Sequence, residues 1–101
     1  MGNPIYNNFE KMKISREIAE RKNIILHYNR TGNLDRETAK NLIRNLKETD
    51  IDVKAASSLK EMQCGTIDLN IAPNDTIIFN LQLQIDVLEA KFVKIALEEI
   101  K

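Results

Sequence analysis

Asp75-Thr76-Ile77-Ile78-Phe79-Asn80-Leu81-Gln82-Leu83-Gln84-Ile85-Asp86-Val87-Leu88 can be read with two periods, and the choice between them decides the fold. Taken two at a time, Phe79, Leu81, Leu83, Ile85 and Val87 alternate with polar residues, as in a half-buried strand. Taken three and four at a time, Ile78, Leu81, Ile85, Leu88, Phe92 and Ile95 form a heptad stripe. Length separates the two. No Gly or Pro interrupts residues 76–101, Asp75 can cap a helix start, and Leu88 to Ile100 is rich in helix formers. The reading adopted is one long C-terminal helix over 75–101. Its alternative is an α+β chain with a small hairpin at 66–85.

Upstream, helical spacing appears from about residue 9, where Phe9, Met12, Ile18, Ile25 and Tyr28 mark an apolar stripe. Residues 28–33 break it, with Gly32 free to take positive φ. A second helix follows from about Asp35 to Thr49, with Ala39, Leu42, Ile43 and Leu46 as its apolar face. The short connection makes 9–49 a helical hairpin. Residues 1–8 are polar and read as a loose arm. Residues 50–74 read as a short helix followed by an extended linker. The expected architecture is mainly α within a single domain of 101 residues.

A second apolar stripe on the C-terminal helix, through Leu83, Val87, Ala90, Val93 or Phe92, Leu97 and Ile100, implies that the helix is covered on more than one side. The hairpin can cover one side and a second copy the other. Self-association is therefore expected, in a helical bundle whose seam is Leu81, Ile85, Leu88, Phe92 and Ile95.

Net charge is zero but unevenly placed. Residues 1–47 hold ten Lys and Arg against five acids, and residues 48–101 hold five against ten. The basic half supplies Arg16, Arg21, Lys22, Arg36, Lys40 and Arg44 as candidate contacts to an acidic protein partner. Charge reversal at Arg21 and Lys22 is expected to abolish such contacts and leave helicity intact. The same face could meet nucleic acid or a nucleotide, and that is the alternative function.

Other chemistry finds little support. His27 and Cys64 are single of their kind, which leaves a zinc site short of ligands and gives a cysteine–histidine pair nothing to bring it together. The loop after Tyr28 fails as a calcium loop. With Gly32 in the sixth position, His27 falls first and Thr38 twelfth, where a carboxylate and a bidentate Glu are needed. There is no glycine-rich phosphate loop and no nucleophile elbow. No enzyme activity, cofactor or metal is expected. No run of 18 apolar residues suggests a membrane span, the N-terminal residues lack a signal-peptide layout, and a single cysteine suits a reducing compartment, so a cytoplasmic location is expected. Heavy use of Ile, Asn and Lys suits an AT-rich genome. The sequence thus leads to a small regulator, inhibitor or adaptor of phage or mobile-element type, acting by protein binding.

Overall fold

The long reading of residues 75–88 holds. In the computed structural model, which describes residues 4–45 and 68–100, three helices account for most of the described chain. They are α1 (Pro4–Thr31), α2 (Arg36–Asn45) and α3 (Asn74–Ile100), and no strand occurs among the described residues. The alternative hairpin at 66–85 is therefore overturned. A period of 3.6 wins because α3 is packed along most of its length against two other helices, whereas an alternating strand would need a neighbouring strand edge. The short helix expected within 50–63 lies outside the described residues.

Boundaries differ from the expected ones in three places. First, α1 starts at Pro4, inside the segment read as a loose arm. Proline fits a first helical turn because its φ is preset and its missing N–H would have no partner there. Second, residues 68–72 form a turn, not an extended linker: the N–H groups of Ile71 and Ala72 both donate to the Asp68 carbonyl, at 3.2 and 2.9 Å. Third, α3 is opened by Pro73, whose carbonyl accepts from the N–H groups of Thr76 and Ile77. Asp75 already sits inside the helix, and its carboxylate accepts the Tyr28 hydroxyl at 2.9 Å.

The connection between α1 and α2 follows its sequence signals closely. Gly32 has φ +72° and its N–H donates to the Tyr28 carbonyl at 2.8 Å, a left-handed cap on α1. Asp35 caps α2, accepting from the Thr38 hydroxyl at 2.6 Å and from the Thr38 N–H at 3.4 Å.

α1 and α3 run antiparallel. Lys11 meets Glu99, Arg21 meets Gln84 and Tyr28 meets Asp75, so the pairing descends one helix as it climbs the other. Their apolar contacts fall into two clusters. The first joins Ala39, Leu42 and Ile43 of α2 to Ile77 and Leu81 of α3, with Leu69 and Ala72 of the turn and Ile24 and Ile25 of α1 packed around them. The second, beyond the reach of α2, joins Ile14 to Val87 and Leu88, with Ile18, Phe92 and Ile95 half-buried beside them.

The apolar stripe expected on α1 needs correcting. Phe9 and Met12 are exposed, at 67% and 66%, while Ile14 is buried. Six residues separate Met12 from Ile18, about 240° of rotation, so the two cannot share a face. The inward face instead reads Ile14, Ile18, Arg21, Ile25, Tyr28 at strict three- and four-residue steps, with a cation in the middle.

Candidate functional site

Between the two apolar clusters lies a polar layer made of Arg21, Asn80 and Gln84, none more than 2% exposed. Arg21 Nε donates to Gln84 Oε1 at 2.8 Å. One terminal nitrogen donates to the Glu17 carbonyl at 2.9 Å and the other to the Leu42 carbonyl at 3.1 Å. Gln84 Nε2 donates to the Ile43 carbonyl at 3.3 Å and to Asn80 Oδ1 at 2.9 Å. Leu42 and Ile43 lie near the end of the described part of α2. Arg21 and Gln84 thus tie the α2 backbone to both long helices. Burial pushes the Arg21 guanidinium below its ordinary pKa, and the charges of Glu17 and Glu20 oppose that shift. Among the described residues, no buried side-chain nitrogen or oxygen lacks a hydrogen-bond partner. The layer is closed and satisfied, so it offers nothing to a ligand.

A second cation is used in a similar way. Arg36, at the start of α2, donates to the carbonyls of Leu69 and Ala72 at 2.7 and 2.9 Å and also holds the Asn74 side chain. It fastens the 68–73 turn against α2. Lys40 Nζ donates to Asn70 Oδ1 at 2.7 Å and lies 3.7 Å from Glu37.

Of the six candidate partner contacts, then, Arg21, Arg36 and Lys40 are engaged in internal hydrogen bonds. Arg16, Lys22 and Arg44 remain exposed. Arg16 and Lys22 are six residues apart on α1, about 240° of rotation, so they do not form one basic stripe. Arg21 is part of the interior, so charge reversal there acts on the core and not on a surface contact.

The residues expected to form a self-association seam are largely buried within the single chain. Leu81 and Ile85 are 0% exposed and Leu88 is 1% exposed within a single chain, while Phe92 and Ile95 are half-buried against the Ile14 cluster. The heptad stripe correctly marks a buried seam. Much of its cover comes from α1 and α2 of the same chain.

What stays outside is a different set. Met12 lies about 200° and Phe9 about 140° around α1 from the buried Ile14, so both face away from α3. Leu97 lies about 180° around α3 from the buried Leu88 and faces away from α1, while Val93, about 140° around, stands at the rim of a groove between the two helices. Val93 and Leu97 are 53% and 55% exposed. They line a shallow concavity of about 340 Å³ with Ala90, Lys94 and Glu98. A neighbouring groove between α1 and α3, about 270 Å³, is lined by Ser15, Ile18, Lys22, Glu89, Phe92 and Val93. The sequence carried a signal for part of this surface, since Ala90, Val93 and Leu97 stood in the second stripe of α3.

Near the opposite end, Tyr28 and Asp35 titrate away from their ordinary ranges. The hydrogen bond to Asp75 raises the Tyr28 hydroxyl, with burial and the Asp75 charge adding to it. The Thr38 hydroxyl and then the Thr38 N–H lower the Asp35 carboxyl. Both shifts come from structural hydrogen bonds. Among the described residues no three His, Cys, Asp or Glu side chains group as metal ligands, and no helix is long and apolar enough to cross a membrane.

Compared with protein-family models, curated proteins and solved structures, the chain matches none.

Proposed function

We propose that the chain is a non-enzymatic protein–protein interaction module, a small regulator, inhibitor or adaptor that works as a homo-oligomer. One observation carries this reading: both long helices hold large apolar side chains outward, Phe9 and Met12 on α1 and Val93 and Leu97 on α3, each more than half exposed. Single exposed apolar residues are ordinary, and it is their grouping on one face that supports a contact surface. The phosphate-binding alternative draws less support, because half of the proposed cations are used inside the fold.

The test is capture from the host with the intact chain and with a variant carrying Phe9→Ser, Met12→Ser, Val93→Ser and Leu97→Ser. A protein retained by the first and lost by the second, at unchanged helicity, is the expected outcome. Equal retention by both would remove these faces as contact surfaces. Retention of nucleic acid that declines steeply with salt would favour the alternative.

A further inference from the structure

We infer that the buried polar layer of Arg21, Asn80 and Gln84 is a register pin: it fixes the height at which the α1–α2 hairpin lies along α3, and it adds little net stability. This goes beyond the interaction reading and does not depend on it. The need for a pin comes from the apolar seam. On α3 the inward positions form two heptad series, Ile78, Ile85, Phe92 and Leu81, Leu88, Ile95, all buried or half-buried. A slide of seven residues, about 10 Å, brings one apolar residue of a series into the place of the next. The seam by itself therefore distinguishes neighbouring heights only weakly.

The polar layer does tell them apart. Seven residues either side of Gln84 stand Ile77 and Lys91, and seven either side of Arg21 stand Ile14 and Tyr28. A slide of one heptad in one direction sets Arg21 against Ile77 and Gln84 against Ile14. The opposite slide sets Arg21 against Lys91, a like charge, and Gln84 against Tyr28. Only at the observed height does the guanidinium meet Gln84 Oε1 at 2.8 Å while Gln84 Nε2 reaches the Ile43 carbonyl at 3.3 Å. Any other height strands these buried groups, which costs more than their bonds gain in place. The same asymmetry separates a specifying layer from a stabilising one. Replacing every member by apolar groups of like volume is close to neutral, whereas removing Arg21 alone leaves Gln84 without its donor. The other polar ties lie at the ends of the seam. The Lys11–Glu99 pair is partly solvated and the Tyr28–Asp75 bond is exposed, and solvated contacts are weak. Arg36 and Lys40 bond to the turn and to the first residue of α3, ahead of the seam.

The experiment is a distance measurement by pulsed electron paramagnetic resonance on the full chain with Cys64→Ser, spin-labelled through Arg30→Cys and Glu98→Cys. Arg30 and Glu98 are exposed and lie at opposite ends of the α1–α3 pair, so a slide of one heptad changes their separation by about 10 Å. Labelled chains are diluted into excess unlabelled chain, so that only distances within one chain are read. This chain is compared with one that also carries Arg21→Met, Asn80→Leu and Gln84→Met, which keep the side-chain volumes close. With the layer intact, one narrow distance is expected. The apolar version should keep its helicity and melt at or above the same temperature, yet show further distances displaced by about 10 Å.

Each other result overturns the proposal. A single unchanged distance in the apolar version shows that apolar packing alone sets the register. An apolar version that loses its helicity shows that the layer is needed for the fold to stand at all. Several distances with the layer intact show that it pins nothing. None of these results bears on the contact surface, which is tested by capture with the serine variant.

Discussion

At the end where α2 joins α1 and α3, the fold buries an arginine, an asparagine and a glutamine and satisfies all three. At the other end, where α1 and α3 run without α2 beside them, phenylalanine, methionine, valine and leucine stand in solvent. Exposed apolar side chains occur at the α2 end as well, Leu26, Ile71 and Phe79, so the two ends differ in the polar groups they bury. The difference lies in what each end has to cover. The Leu42 and Ile43 carbonyls of α2 turn to the interior there, and the polar side chains of Arg21 and Gln84 donate to them. The free end has two helices, each of which can turn just one side to the other. Its remaining apolar surface is available for contact with another molecule.

The comparison can be broken most severely at Arg21. Replacing it by Ala strips the Leu42 carbonyl and Gln84 of their donor and opens a cavity, and should lower unfolding stability by about 3–5 kcal/mol, read as a shift in urea midpoint. A loss below about 1 kcal/mol would mean that the polar layer is an accessory to apolar packing. Next in size is a pair of leucine and isoleucine truncations on α3. Ile85→Ala should cost about 2–4 kcal/mol, whereas Leu97→Ala in dilute solution should stay within about 0.5 kcal/mol. Equal costs would show that the free end is closed within one chain.

Acid probes the α2 end more gently. Because the Asp35 carboxyl is lowered by its bonds to Thr38, its contribution is complete above the ordinary carboxylate range and is lost as pH falls through the lowered value. Asp35→Asn, which keeps a cap acceptor, should flatten that part of the stability profile against pH without abolishing α2. An unchanged profile would place the acid sensitivity elsewhere. The smallest effect belongs to Lys11→Ala at the free end. Its ion pair with Glu99 is partly solvated, and removal should change stability by about 0.5 kcal/mol or less in thermal melts.

Much of this was legible in the residues, and the exceptions share a cause. Gly32 and Asp35 act locally, so the α1–α2 connection follows from them directly. The α3 heptad is equally plain, because the positions that form it are all apolar, although Asn80 and Gln84 beside it are buried too. On α1 the inward face is interrupted by Arg21, and a search for apolar periodicity steps over it to Phe9 and Met12. Arginine at that position is explained by carbonyl groups some twenty residues away, which no local pattern encodes. The seam at Leu81, Ile85 and Leu88 was identified as buried, yet a heptad reports that a side is covered and says nothing of which chain covers it. Pro73 displaced Asp75 as the opening of α3 because a carbonyl one residue before the helix can do what a side chain was expected to do.

The arrangement at Arg21 also bears on how the structure comes apart. A short helix is marginal by itself in water, and α2 has two of its carbonyls bonded by one side chain from α1 and another from α3. Separating the long helices by a few ångströms therefore removes both of these holds on α2. Its amides should exchange with solvent hydrogen as a group, at a lower free energy than the buried turns of α1 and α3, which makes α2 an internal gauge of how tightly the long pair is shut.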